Sequence, residues 1–375
     1  MDSYRVISSD SHIFEPSDLW TSRVEPQFRE RAPRVVHRAE DATDWWVCEG
    51  LKGVSGASGG ALTGVRFEDP EKVSFTGSLK DVWPGSYIPE AHLKDMELDG
   101  VEGSVIYPTQ GLVLYGLPDG ALFSALCRAY NDWLADFCRP FPHRIKGIAM
   151  LNLDEVQEAI KELTRCATLG LAGAMITVSP PAGRSYDSAE YDPLWAAAQD
   201  LDMPLSLHVA TNRTESQNSA LDVEDIPPAF FTNIDHWVRM SLAHMIFGGV
   251  FERYPRLRVV SVEQELSWVP HFLNRLDNTY TQRPQARSHR RFKNALLPSD
   301  YFHHNVFLSF QEDALGIRDR HIIGVENLMW GSDYPHPEST FPRSRQILDQ
   351  ILAECTQDEK ARIVGSNAAR IYHFD

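Results

Sequence analysis

The sequence contains no CxxC pair, no cluster of lysine and arginine, and no long apolar run. Each absence excludes a class of protein. The five cysteines (Cys48, Cys127, Cys138, Cys166 and Cys355) are odd in number and far apart, a pattern that suits neither a disulfide framework nor a cysteine zinc site. A reducing cytoplasm is the expected compartment. Phosphate backbones are held by grouped basic side chains, so a formal charge of -16 without a basic stretch argues against a nucleic acid partner. The opening "MDSYRVISSD" lacks the basic and then apolar regions of a secretory leader, and nothing approaches the roughly 20 apolar residues of a membrane helix. No membrane association is expected.

What the chain does have is 43% hydrophobic residues in a length of 375, enough for one large core. Short β-branched or apolar runs recur along it, each followed by a helical pattern. They cover residues 4–9, 103–108, 145–151, 172–177, 204–209, 257–262, 305–310 and 327–332. Such alternation marks parallel strands joined by crossover helices. Eight units in this length predict an α/β fold, a (β/α)8 TIM barrel, with residues 1–375 as a single metal-dependent domain. Helices are predicted over 120–138, 154–170, 192–202, 233–254, 266–280, 312–323 and 344–354, with Asp192 as a capping side chain before Pro193. Residues 17–89 are too long for a barrel loop and are read as an insertion after strand one that acts as a lid. Its Trp45–Trp46 pair predicts a small β excursion, and "GVSGASGGALTG" is its low-complexity patch.

On a barrel of this kind the reactive groups stand at the C-terminal ends of the strands. The first predicted strand runs into Asp10-Ser11-His12, where alternation points Asp10 and His12 to one side. The fifth ends in His208, the sixth runs into Glu263, and the eighth runs into Asp333, with His336 three residues on. Taken singly, each has an ordinary use: an aspartate after a strand caps a turn, and a histidine after an apolar run sits satisfied in the core. Together they ask for more, because three buried carboxylates repel one another unless a cation joins them, and a divalent metal does so. His336 is placed to bind substrate or to carry a proton. Glu15 and Arg66 are candidate substrate-binding residues; Glu15 can instead orient His12 or form the turn before Pro16, and Arg66 is a possible anion anchor within the insertion. His244, in a helical run, is expected to pack under the barrel. His303 and His304 precede strand seven, at the wrong end for catalysis.

The stretches "DSHIFEP", "PLSLHV", "GGVFERYPRLRVVSVEQELSWVP", "LMWGSDYPHPES" and "GSNAARIYHF" resemble the amidohydrolase-related family of TIM-barrel metalloenzymes. The branch in question includes aminocarboxymuconate-semialdehyde decarboxylase and the resorcylate-type decarboxylases. This resemblance covers nearly the whole chain. It implies a metal held by Asp10 and His12 at strand one, His208 at strand five and Asp333 at strand eight, and it implies a homodimer. The expected cofactor is a divalent metal, one or two ions of zinc, manganese or iron. Asp10, where many relatives have histidine, makes the site more anionic and keeps iron and manganese beside zinc.

Decarboxylases of the family carry a histidine after strand six, where this chain has Glu263. The leading expectation is therefore a metal-dependent hydrolase acting on a small organic substrate, carboxylate-bearing or cyclic, with metal-activated water as nucleophile and Glu263 as general base. Two alternatives stay open: a non-oxidative metal-dependent decarboxylase, and a dinuclear non-haem iron oxygenase on the same fold. Metal binding without catalysis is disfavoured, because ligands at the open face of a barrel leave positions for substrate.

Overall fold

Apolar, β-branched runs buried on both faces form parallel strands, and eight of them do so here. The computed structural model describes residues 4–40, 42–51, 53–55, 63–66, 68, 70–73, 77–213, 228–283 and 291–374. In chain order, β1 (Ile7–Ile13) is followed by a three-strand excursion, β2 (Arg34–Arg38), β3 (Thr43–Val47) and β4 (Val54–Ser55). Then come β5 (Gly103–Pro108), β6 (Ile145–Met150), β7 (Gly173–Ile176), β8 (Leu205–His208), β9 (Val259–Val262), β10 (Val306–Phe310) and β11 (Leu328–Trp330). β1 pairs with β5, and each strand from β5 pairs in parallel with the next as far as β11.

Hydrogen bonds between β1 and the end of β11 draw the ring nearly closed. Ser9 Oγ donates to the Trp330 carbonyl (3.0 Å), the Asp333 N–H to the Asp10 carbonyl (2.9 Å), and the His12 N–H to the Tyr334 carbonyl (2.5 Å). The predicted (β/α)8 barrel is thus the observed architecture. β1 departs most from its predicted span: it runs to Ile13, so Asp10 and His12 lie within the strand. Beneath the mouth, the Tyr107 hydroxyl meets Ser206 Oγ (2.8 Å) and the Tyr372 hydroxyl (3.2 Å), which fills the barrel interior with a satisfied polar group.

The helix Gly120–Cys138 keeps its predicted span, started by Asp119, whose side chain accepts from the Ala121 and Leu122 N–H groups. Asp192 is corrected: it occupies the first turn of Asp192–Asp200 without capping it, and its carboxylate pairs with Arg253 at 2.7 Å. The run expected as one helix over 233–254 is two, His236–Phe247 and Val250–Arg253, divided at Gly249, whose φ of 66° is left-handed. The run over 312–323 is likewise two short pieces, Ala314–Arg318 and Arg320–Ile323. Several helical segments went unpredicted, among them Pro89–Asp99, Pro298–Asn305 and the C-terminal Asn367–Tyr372. Among the described residues no helix is long and apolar enough to cross a membrane.

The β excursion is present as a small antiparallel sheet, β2-β3-β4. Trp46, on β3, is buried edge-on against Trp20 at 5.5 Å, while Trp45 lies under the Arg38 guanidinium at 3.9 Å. Residues 56–62, most of the Gly/Ser-rich patch, lie outside the described residues.

Candidate metal centre

Between Ser8 and Ser11 the register of β1 against β5 slips by one residue, with Ser9 and Asp10 of β1 opposite the single Val105 of β5. The slip lets Asp10 and His12 both reach the mouth of the barrel. The Nδ1–H of His12 donates to the Pro108 carbonyl at 2.7 Å, and that of His208 to the Val209 carbonyl at 3.0 Å. A carbonyl can only accept, so each ring is held with its Nε2 lone pair turned inward. The two Nε2 atoms are 3.3 Å apart.

Carboxylates close around that point. His12 Nε2 stands 3.5 Å from Asp10 Oδ1 and 3.2 Å from Asp333 Oδ1; His208 Nε2 stands 3.7 Å from Asp10 Oδ1 and 3.6 Å from Glu263 Oε2. Donors about 2.1 Å from a shared ion sit about 3.0 Å apart at right angles and about 3.4 Å apart at the tetrahedral angle. The observed separations are of that size. Asp10 Oδ1, Asp10 Oδ2 and Asp333 Oδ2 are buried without a hydrogen-bond partner, the condition of carboxylate oxygens that await a cation. Donors from Asp10, His12, His208 and Glu263 form one such group within 4.8 Å, and His12, Asp333 and His336 form a second. Imidazole nitrogen with carboxylate oxygen suits a divalent ion such as manganese.

The electrostatics follow from this crowding. Burial raises the Asp10 carboxyl, but the neighbouring His12 and His208 imidazoles carry it below the ordinary carboxylate range. Burial lowers the His12 imidazole, and Asp10 with Asp333 outweighs it, holding the ring well above its usual value. At this point the protein therefore favours a positive charge, supplied by a proton or by a metal. Burial, then Asp333 and Asp10, push the Glu263 carboxyl well up. Both Glu263 and Asp333 leave their strands in the left-handed region, at φ 61° and 56°. Non-glycine residues rarely hold that conformation, and here it aims two carboxylates at the same place.

His336 packs on His12 with ring centroids 4.1 Å apart. Its Nδ1–H donates to Asp333 Oδ1 at 3.0 Å, and the Thr109 hydroxyl meets its Nε2 at 3.1 Å. Pro108 and Thr109 escaped the sequence reading. Their only signal was position, at the C-terminal end of the strand "GSVIYP".

The structure brings Asp10, His12, His208, Glu263, Asp333 and His336 together and gives Glu15 and Arg66 other partners. Glu15 makes no hydrogen bond to His12: its buried carboxylate accepts the Gln110 and Gly111 N–H groups, both at 2.9 Å. It fastens the turn that carries Pro108. Arg66 pairs with Glu68 and Glu312 and donates to the Ser339 carbonyl, so its guanidinium is already engaged with the loops after β10 and β11. His244 is exposed beside Asp187 at 3.5 Å instead of packed under the barrel. His303 lies at the far end, bonded to the Ile322 carbonyl.

Comparisons with known proteins extend this picture. The chain is similar to the gamma-resorcylate decarboxylase of Rhizobium sp. (strain MTP-10005), 25% identical over 304 residues that cover 77% of this chain and 88% of that one. In structure it is similar to an amidohydrolase from Mycobacterium avium subsp. paratuberculosis K-10, at TM-score 0.78 and 22% identity, covering 99% of this chain and 98% of that one. It is also similar to a dihydroxybenzoic acid decarboxylase from Polaromonas sp. JS666, with bound manganese and the inhibitor 2-nitroresorcinol, at TM-score 0.64 and 17% identity, covering 99% and 97%. The expectation of hydrolysis is overturned by these relatives, which include decarboxylases. It rests on Glu263 as a base across the mouth from the metal, whereas Glu263 Oε2 lies inside the donor group, 3.6 Å from His208 Nε2. A family model described as Amidohydrolase matches residues 108–374, and the chain belongs to that family.

Proposed function

We propose that the chain is a metal-dependent, non-oxidative decarboxylase of a small hydroxylated aromatic acid. One observation carries the reading: the inward-facing imidazoles and partnerless carboxylate oxygens of Asp10, His12, His208 and Asp333, in a chain 25% identical to a decarboxylase over most of its length. These four residues would hold the ion, and manganese is the first to test. When bound, such an ion would supply a positive charge that favours binding of an anionic substrate and stabilises the electrons left when carbon dioxide departs.

The remaining work is proton handling. Loss of carbon dioxide leaves an electron pair on the ring carbon, and a proton must replace it. His336 and Glu263 flank the donors, the first beside His12 and Asp333, the second beside His208. Both side chains are 16% exposed, and the His336 Nδ1–H already points at Asp333 Oδ1. His336 would return protons to the site from solvent, while Glu263 would act as a further donor or as the acid on the opposite side. Arg66, tied to loops after β10 and β11, supports the reading of 17–89 as a lid within one barrel domain, 1–375.

The test is to load the protein with manganese and incubate it with 2,6-dihydroxybenzoate and related acids in heavy water. Carbon dioxide release with one deuterium at the vacated ring carbon is expected. A fully loaded protein that releases no carbon dioxide from any hydroxybenzoate overturns the reading.

A further inference from the structure

Outside the barrel ring, behind the metal-site loop, lies a second buried polar group that the chemistry above does not use. Asp95, on the helix Pro89–Asp99, is only 9% exposed. Its Oδ2 accepts the Tyr334 hydroxyl at 2.6 Å and the Trp83 indole N–H at 2.8 Å. Tyr334 immediately follows Asp333, and its carbonyl accepts the His12 N–H. One residue thus touches the backbone of two donors at the site, and its side chain is anchored on Asp95.

The surroundings are shaped for this bond. A Cβ at residue 85 would overlap Asp95 Oδ2 and the Tyr334 hydroxyl, so the backbone of Gly85 passes directly over the contact and only glycine fits. The Gly85 carbonyl is in turn held by His92 Nδ1 at 3.0 Å, and the Ser86 carbonyl accepts the Phe14 N–H at 2.7 Å. The Tyr334 ring is packed edge-on against His92 at 5.1 Å and against Phe341 at 4.9 Å. The end of the 17–89 segment, the helix and the β11 loop therefore meet at one carboxylate.

We infer that Asp95 is a positioning residue: through Tyr334 it fixes the loop that carries Asp333 and the strand end that carries His12, so that both donors stand ready for the cation. The inference rests on the metal reading above. Without the anchor, the left-handed backbone at Asp333 has less to hold it, and the donors must be ordered when the ion binds. Partners that orient ligands in this way commonly change metal affinity by about tenfold or more when removed.

The test compares wild type with Tyr334→Phe, which keeps the ring packing and deletes the hydroxyl, and with Asp95→Asn. Trp83→Phe, which removes only the indole donor at the rim, is the control. Two readouts are taken: manganese affinity by titration calorimetry, and hydrogen–deuterium exchange of the metal-free proteins over residues 331–336 and at His12. The expected result is about tenfold weaker manganese binding with faster exchange in both segments, for Tyr334→Phe and Asp95→Asn but not for Trp83→Phe. Unchanged exchange in both variants overturns the inference, as does faster exchange with wild-type manganese affinity. If wild type itself binds no manganese while exchange still rises in the variants, the metal reading fails and the link from Asp95 to metal binding falls with it, leaving only the clamp on the loop.

Discussion

Replacing Glu15 by glutamine tests how the site is supported from below. Its two oxygens hold the N–H groups of Gln110 and Gly111, and burial outweighs those bonds, raising the carboxyl from 4.5 to about 7. Between those values the folded protein keeps a proton that the unfolded chain has released. The stability this group contributes is therefore fully present below about pH 4.5 and is lost as the pH rises through about 7. At about 1.4 kcal/mol for each tenfold change in proton binding, the whole effect is roughly 3 kcal/mol, of which roughly 2 to 3 kcal/mol falls between about pH 5 and pH 8. Glutamine has no proton to lose, but it presents one amide N–H to a backbone donor, which costs about 1–3 kcal/mol at every pH. Urea unfolding of the metal-free proteins should show Glu15→Gln losing to wild type at pH 5 and recovering by roughly 2 to 3 kcal/mol at pH 8. An equal difference at both pH values refutes the argument. The same variant separates the turn-fastening role from a substrate contact, since only the latter raises KM without a pH-dependent change in stability.

Three further outcomes are expected. Asp333→Ala should abolish manganese binding and turnover together, and a fully active variant retaining its metal would remove Asp333 from the donor set. Arg66→Ala releases Glu312 and the Ser339 carbonyl, so limited proteolysis within 17–89 should quicken while manganese affinity holds; a raised KM with unchanged proteolysis would instead mark Arg66 as a substrate anchor. Gly331→Ala places a methyl against Asp10 and Ser309 Oγ, which must push β11 from β1; a loss of about 1–3 kcal/mol with weakened manganese binding is expected, and wild-type values for both would refute the contact.

The barrel was legible because its strands are apolar on both faces. "NVFLSF" and "PLSLHV" carry little polarity before their ends, and the helix Gly120–Cys138 keeps its predicted span, although its cap, Asp119, was not among the residues read as caps. The helix Pro89–Asp99 shows why other elements were hidden. It buries His92, Asp95 and Asp99, and a periodicity argument assigns such residues to solvent. Their partners lie far along the chain: Asp95 meets Tyr334, and Asp99 meets Ser344. Polar contacts between residues some 240 positions apart leave no local pattern to read.

The same limit explains why the donors could be collected from the sequence but their chemistry could not. Asp10, His12, His208, Glu263 and Asp333 each follow from a strand end, because a parallel barrel delivers all its strand ends to one mouth. Which side of the shared point a residue occupies depends instead on the few degrees of freedom after the strand. At Glu263 the backbone turns left-handed at φ 61° and brings the carboxylate to His208, where a regular extended continuation would have carried it elsewhere. Read as a base facing the metal across the mouth, that glutamate argues for water activation. Placed within the donor group, it argues for a more anionic candidate metal site, and the glutamate is then no obstacle to the proposed decarboxylation.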